Sequence, residues 1–326
     1  MDALSEVFRV LRLNTGFFLE ARFTAPWCVD SAPGRDDLNH ILPNAEHVAI
    51  YHLVTEGTCR TKLHDRTDQL ELNPGDLILF PHGDGHLLGS DLQRAPVPAG
   101  AIMQPGQDGG LLRIDHGGGG GTTRFVCGFL ACDRRLCRPL LDALPRMVRV
   151  PVGAGPAGAW IMSTLQRGAE ESQAPRPGAE AVLAKLSELL FLEAIRRHIE
   201  SLPQEQRGWF AGLRDPQVGR ALALLHSQPA RAWTVDTLAR EVAASRSVLA
   251  ERFVALIGEP PMQYLTRWRL ALAAQNLGGG NDPLGRIAAQ VGYESEAAFN
   301  RAFKREFGMP PATWRRAARL QRNEMH

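Results

Sequence analysis

The chain has 326 residues, of which 44% are hydrophobic and 22% charged. That length supports one or two domains with sizeable cores, and the composition suits a soluble globular class. There is no run of eighteen apolar residues, so no membrane span is expected. Asp2, Glu6 and Arg9 at the start do not fit a secretory signal. The five cysteines include no Cys-x-x-Cys pair and are expected to be reduced thiols in a cytoplasmic protein. The net charge of +2 hides a split: residues 206–326 carry 17 Arg and Lys against 10 Asp and Glu, whereas residues 1–205 carry 20 against 25. A basic C-terminal third on an acidic remainder points to a polyanionic partner for that third.

In chain order, residues 2–11 are predicted as a short amphipathic helix with Leu4, Val7, Phe8 and Leu11 apolar. Residues 16–23 read as a strand, followed by a turn at Ala25-Pro26-Trp27. From Glu46 the pattern is β, over residues 47–54, 58–63, 69–72 and 77–80, with Asn73-Pro74-Gly75-Asp76 as a turn. Short strands at this spacing predict a sandwich or barrel. Residues 115–123 include five consecutive glycines and are predicted to be a mobile loop. They are not a phosphate cradle, since no Gly-Lys-Ser/Thr follows. Residues 124–130 read as another strand. Cys127, Cys132 and Cys137 match no zinc spacing and are expected to be buried thiols, with redox sensing as the alternative because Arg134, Arg135 and Arg138 lie nearby.

Residues 179–199 are predicted as one long helix. Its apolar arc is broad enough to pack on the barrel with one side and on a second subunit with the other. Residues 201–212 read as a linker. The chain is then helical: residues 218–227, residues 235–242 capped by Thr234, a helix capped by Ser245, and a connecting helix over residues 261–277, roughly 24 Å long at 1.5 Å per residue. In the last helical unit Phe299, Phe303 and Phe307 recur every four residues along one face. Ser295 is the N-cap, and Gly308 with Pro310 and Pro311 ends the helix. At about 100° per residue, Ala297, Arg301 and Lys304 fall opposite, with Asn300 on the flank. The same punctuation occurs fifty residues earlier: Ser245, Leu249, Phe253, Gly258, Pro260, Pro261 and Tyr264 answer Ser295, Phe299, Phe303, Gly308, Pro310, Pro311 and Trp314. Such a duplication predicts two helix-turn-helix units.

At these residues the chain resembles the AraC/XylS family of bacterial transcription regulators, closely over residues 214–316. Residues 75–86, ending in His86, resemble the second motif of the cupin superfamily. The first cupin motif normally supplies two histidines and a glutamate as metal ligands; here Ile50 stands where the acid belongs, so the triad is broken. The expected fold is α+β: a cupin-like effector-binding domain over residues 1–178, a dimerisation helix and linker over residues 179–212, and an all-α DNA-binding domain over residues 213–326. No cofactor is expected. His52 and His86 are candidates for effector binding or for simple structural satisfaction, or, as the weaker alternative, for holding a metal.

The side chains expected at DNA are Arg246, Ser247, Ala250 and Glu251 in the first unit, and Glu296, Ala297, Asn300, Arg301, Lys304 and Arg305 in the second. Arg301 suits guanine, Asn300 adenine, and Glu251 or Glu296 cytosine, while Arg246, Arg252, Lys304 and Arg305 suit phosphates. The function expected is a dimeric transcription activator, not an enzyme, that binds promoter or operator DNA, answers to a small-molecule effector and engages RNA polymerase. The alternative is a metal-dependent cupin enzyme fused to a DNA-binding domain.

Overall fold

The computed structural model describes residues 2–10, 14–32, 47–105, 112–155, 158–164, 178–203 and 207–323. Leu11, Glu46 and residues 204–206 of the expected linker lie outside them. The chain forms two compact units: Leu13–Arg134 with Leu144–Leu202, and Met1–Arg12 with Arg135–Ala143 and Pro203–His326. These differ from the expected domain limits, because residues 1–12 and 135–143 group with the C-terminal helices and residues 179–202 with the strands.

The first of these units is built from strands β1 (Asn14–Thr24), β2 (Cys28–Asp30), β3 (His47–Glu56), β4 (Cys59–Leu63), β5 (Leu70–Leu72), β6 (Asp76–Phe80), β7 (His86–Gly89), β8 (Val97–Pro98), β9 (Met103–Gln104), β10 (Leu112–Gly117), β11 (Thr122–Cys132) and β12 (Val148–Pro151). They form a seven-stranded sheet in the order β12-β6-β3-β11-β1-β10-β9 and a five-stranded sheet in the order β5-β4-β7-β2-β8. Between them lies an apolar core that includes Phe23, Trp27, Val54, Leu72, Ile78, Phe80 and Phe125. β3 is buried along most of its length because both its faces are covered. Tyr51 reaches Ser187 Oγ at 2.8 Å on the long helix Ala179–Ser201, and the next residue, His52, is turned to the opposite face by the period of two.

The glycine run lies between two strands, as composition predicts, but the connection is confined to residues 118–121. Asp115–Gly117 belong to β10, and the turn that follows is stitched to the end of β1: Gly118 N donates to Thr24 O at 2.8 Å, Gly120 N to Ala25 O at 2.8 Å, and Ala25 N to Gly121 O at 2.9 Å. A Cβ on Gly117 would lie 2.0 Å from Thr24 O, so close backbone approach is what calls for glycine here.

The other unit is helical: α1 (Ala3–Val10), α2 (Arg134–Leu141, from Arg135 onward), then, past the helix Ala179–Ser201 (α3) of the strand unit, α4 (Trp209–Arg214), α5 (Pro216–Ser227), α6 (Val235–Glu241), α7 (Arg246–Ile257), α8 (Pro261–Gly279), α9 (Leu284–Gln290), α10 (Glu296–Phe307) and α11 (Pro311–Asn323). α4 stands where a linker was expected. Trp209 and Phe210 are buried, and Trp209 Nε1 donates to Tyr264 Oη at 3.1 Å, so aromatic burial decides against a solvated tether. Asp215 caps α5 by accepting from Gln217 N and Val218 N.

Candidate functional site

The duplication read from the sequence is a duplication of backbone geometry. Ser245 Oγ accepts Val248 N–H at 3.3 Å, and Ser295 Oγ accepts Ala298 N–H at 3.2 Å. Gly258 and Gly308 end α7 and α10 in the left-handed region, at φ 88° and 75°, and their N–H groups return to Val254 O and Lys304 O. The turns before the two helices also correspond: Ala244 N bonds Ala239 O, and Tyr293 N bonds Ala288 O, both at 2.9 Å. Leu249 and Phe253 on α7, and Phe299 and Phe303 on α10, are all fully buried. This fixes which face of each helix is left outside.

That outer face holds the expected side chains. On α7, Arg246, Ser247 and Glu251 are exposed and Ala250 is half-buried; on α10, Glu296, Ala297, Arg301, Lys304 and Arg305 are exposed and Asn300 is half-buried. The cations differ in their partners. Arg246 is 3.5 Å from Asp236, and Arg252 is 2.6 Å from Asp215. Arg301, Lys304 and Arg305 carry no ion pair among the described residues. α10 therefore presents an uncompensated basic face suited to phosphates and base edges, and α7 does not.

In the strand unit, His52 and His86 meet. His52 lies opposite Cys127 in the β3–β11 register, and His86 opens β7 of the other sheet. The ring nitrogens His52 Nε2 and His86 Nε2 are 2.8 Å apart, His52 Nδ1 is 3.0 Å from Cys127 Sγ, and His86 Nδ1 is 2.9 Å from Asp84 O. A carbonyl only accepts, so His86 Nδ1 holds a proton and donates to it. His86 Nε2 then accepts from His52 Nε2–H, and His52 Nδ1 accepts from the Cys127 thiol. The chain of donors runs one way and is satisfied with every group neutral. Burial reinforces this: it holds His86 down at about 3 and His52 well below the usual imidazole range, and pushes the Cys127 thiol up.

The same geometry argues against a metal on these residues. Cys127 and His86 address opposite nitrogens of the His52 ring, so the three cannot converge on one ion. Among the described residues no cluster of three or more His, Cys, Asp or Glu is arranged to hold one. Cys127 escaped the sequence reading as a partner of His52, since only strand register brings residues 75 apart together. Phe125 meets His52 edge-on at 6.5 Å and Trp27 at 5.9 Å; Trp27 stacks on Phe23 at 4.2 Å, and its buried Nε1 has no hydrogen-bond partner among the described residues. No helix among the described residues is long and apolar enough to cross a membrane.

Comparison with known proteins matches two families along the chain. A family described as a cupin matches residues 2–200, and one described as a helix-turn-helix domain matches residues 238–317. The chain is 38% identical to an AraC-like transcription regulator of Streptomyces lividans, over 97% of this chain and 98% of that one. It is 31% identical to the HTH-type transcriptional regulator AlkR of Acinetobacter baylyi, over 97% and 99%. Among solved structures, the DNA-binding domain of AdpA in complex with a target DNA is 30% identical over 33% of this chain and 97% of that one, with a TM-score of 0.32. With a cupin domain ahead of a duplicated helix-turn-helix, and relatives that match it along nearly their whole length, this chain belongs to the AraC family of DNA-binding transcription regulators.

Proposed function

We propose that the protein is a cytoplasmic, dimeric activator that reads promoter DNA with α7 and α10 and is controlled by a small molecule in its cupin domain. The observation that carries the DNA-reading assignment is the uncompensated basic face of α10 on a scaffold of fully buried phenylalanines. Arg301 contacts guanine and Asn300 adenine, Lys304 and Arg305 take phosphates, and Glu296 and Ala297 border the groove. In the first unit Arg246, Ser247, Ala250 and Glu251 hold the matching positions. Footprinting on selected operators tests this: Arg301→Ala relaxes one base position and costs ~1–3 kcal/mol, whereas Arg305→Ala weakens all sequences alike. An unchanged footprint and affinity for Arg301→Ala overturns the assignment.

The effector reading rests on the polar chain Cys127–His52–His86 and on the Trp27 N–H, unpartnered among the described residues and linked to His52 through the Phe125 ring. A ligand with an apolar body and a hydrogen-bond acceptor satisfies that N–H and competes for His52 and His86. Its signature is a concentration-dependent rise in melting temperature that Trp27→Phe reduces. Dimer formation is assigned to α3, whose Val182 and Leu189 are exposed two turns apart on one face. Activation then proceeds through RNA polymerase at the bound promoter.

A further inference from the structure

α7 and α10 correspond residue for residue at an offset of fifty, and their outward positions differ in chemistry. Ser247 answers Ala297, Ala250 answers Asn300, Glu251 answers Arg301, Val254 answers Lys304 and Ala255 answers Arg305. Three of these positions exchange a cation for an acid or an aliphatic side chain. Val254 is 42% exposed, although it sits in a unit whose other large apolar side chains are mostly buried. It lies three residues after Glu251, hence on the same strip of helix. Glu251 has no ion-pair partner among the described residues, and both arginines that flank this strip are engaged, Arg246 with Asp236 and Arg252 with Asp215.

From this we infer that α7 reads a pyrimidine-bearing segment of one strand: Val254 packs on the C5 methyl of a thymine, and Glu251 accepts the N4 amino hydrogen of a cytosine. Each side chain matches the major-groove feature that its chemistry complements, a methyl group for an aliphatic chain and an amino donor for a carboxylate. Opposite guanine or thymine a carboxylate meets only acceptors, and beside the N6 amino group of adenine stands the N7 acceptor, so Glu251 also disfavours the other bases. The operator is consequently asymmetric. Its α10 segment carries most of the salt-dependent affinity, and its α7 segment carries discrimination with little electrostatic gain. This inference rests on the reading that both helices face the duplex.

The test selects duplexes from a random pool with the full-length protein and assigns the α10 segment as the one that Arg301→Ala relaxes. In the other segment, replacing the thymine by deoxyuridine removes one methyl and leaves the hydrogen-bond pattern intact. Wild type is expected to lose about fourfold in affinity, the weight of one methyl returned to water, and Val254→Ala is expected to lose nothing further on that substitution. Glu251→Gln is expected to move the preferred base at one position from cytosine to adenine, the base that an amide side chain bonds. Both side chains are exposed, so unchanged melting temperatures are expected for the two variants. An α7 segment without thymine, a deoxyuridine loss equal in wild type and Val254→Ala, or an unaltered base preference in Glu251→Gln overturns the inference while the DNA-reading assignment stands. Failure of wild type to enrich any sequence overturns the assignment itself.

Discussion

The two helix-turn-helix units share a backbone plan and differ in what fills it. Behind α7, Tyr264 is buried and its hydroxyl is a junction: it accepts from Trp209 Nε1 at 3.1 Å and lies 2.7 Å from His226 Nε2. At the matching position behind α10 stands Trp314, packed against Phe303 and Phe307 with the Arg135 guanidinium 4.2 Å above its ring. One unit is closed by a buried polar network and the other by aromatic packing. On the outside the contrast reverses, since α10 leaves Arg301, Lys304 and Arg305 without ion pairs among the described residues, whereas both arginines of α7 are paired. A repeated fold constrains cap residues and core volume. It leaves the second layer behind the helix and the solvent face free to diverge, because neither sets the backbone path.

The strongest way to break this comparison is in the shared core. Phe253→Ala and Phe303→Ala each remove a fully buried ring, and each is expected to cost ~3–5 kcal/mol in denaturant unfolding. Markedly unequal losses would mean that the two cores are not equivalent. Acidification separates the units next. Burial holds His226 down at about 4, whereas the unfolded chain takes up a proton near pH 6.5. His226 Nδ1 donates to Ala3 O, and its Nε2 accepts from Tyr264, so the neutral ring is the form that fits. The stability from this group is fully present above about pH 6.5 and falls as pH drops toward 4, with a total loss on the order of 3 kcal/mol. His226→Gln is expected to remove one proton's share of the slope measured by denaturation between pH 7.5 and 5. His52 and His86 add the same sign of dependence in the strand unit.

The electrostatic contrast is finer. Lys304→Ala is expected to reduce the slope of log affinity against log salt by about 0.9, the share of a single neutralised phosphate. Val254→Ala, at the matching position on α7, is expected to leave that slope unchanged. The smallest effect lies in the turns. Ala243 sits at φ 53° where the second unit has Gly292 at φ 85°. A left-handed alanine costs about 1–2 kcal/mol and glycine's chain entropy returns part of the gain, so Ala243→Gly is expected to stabilise by ~0.5–1 kcal/mol in thermal unfolding.

The α7 and α10 faces are legible in the sequence because their signals are local. Ser245 and Ser295 cap within three residues, Gly258 and Gly308 terminate in place, and the helical period puts Phe299 and Phe303 opposite Arg301 without reference to any distant residue. α4 reads as linker because its only strong signals, Trp209 and Phe210, gain meaning from Tyr264, 55 residues on from Trp209. The glycine run reads as loose for the same reason: composition shows permissiveness and cannot show that the β1 end runs against it.

Residue types and their spacing alone therefore determined the duplicated helix-turn-helix and the face each helix turns outward, since both follow from periodicity and capping over a few residues. Tertiary structure decided which arginines are compensated, that Cys127, His52 and His86 form one directed chain of hydrogen bonds, and that Tyr264 and Trp314 close equivalent units in different ways. Those outcomes depend on pairings between strands and helices tens of residues apart. No local pattern encodes them, because each residue's partner is set by the register and packing of another element.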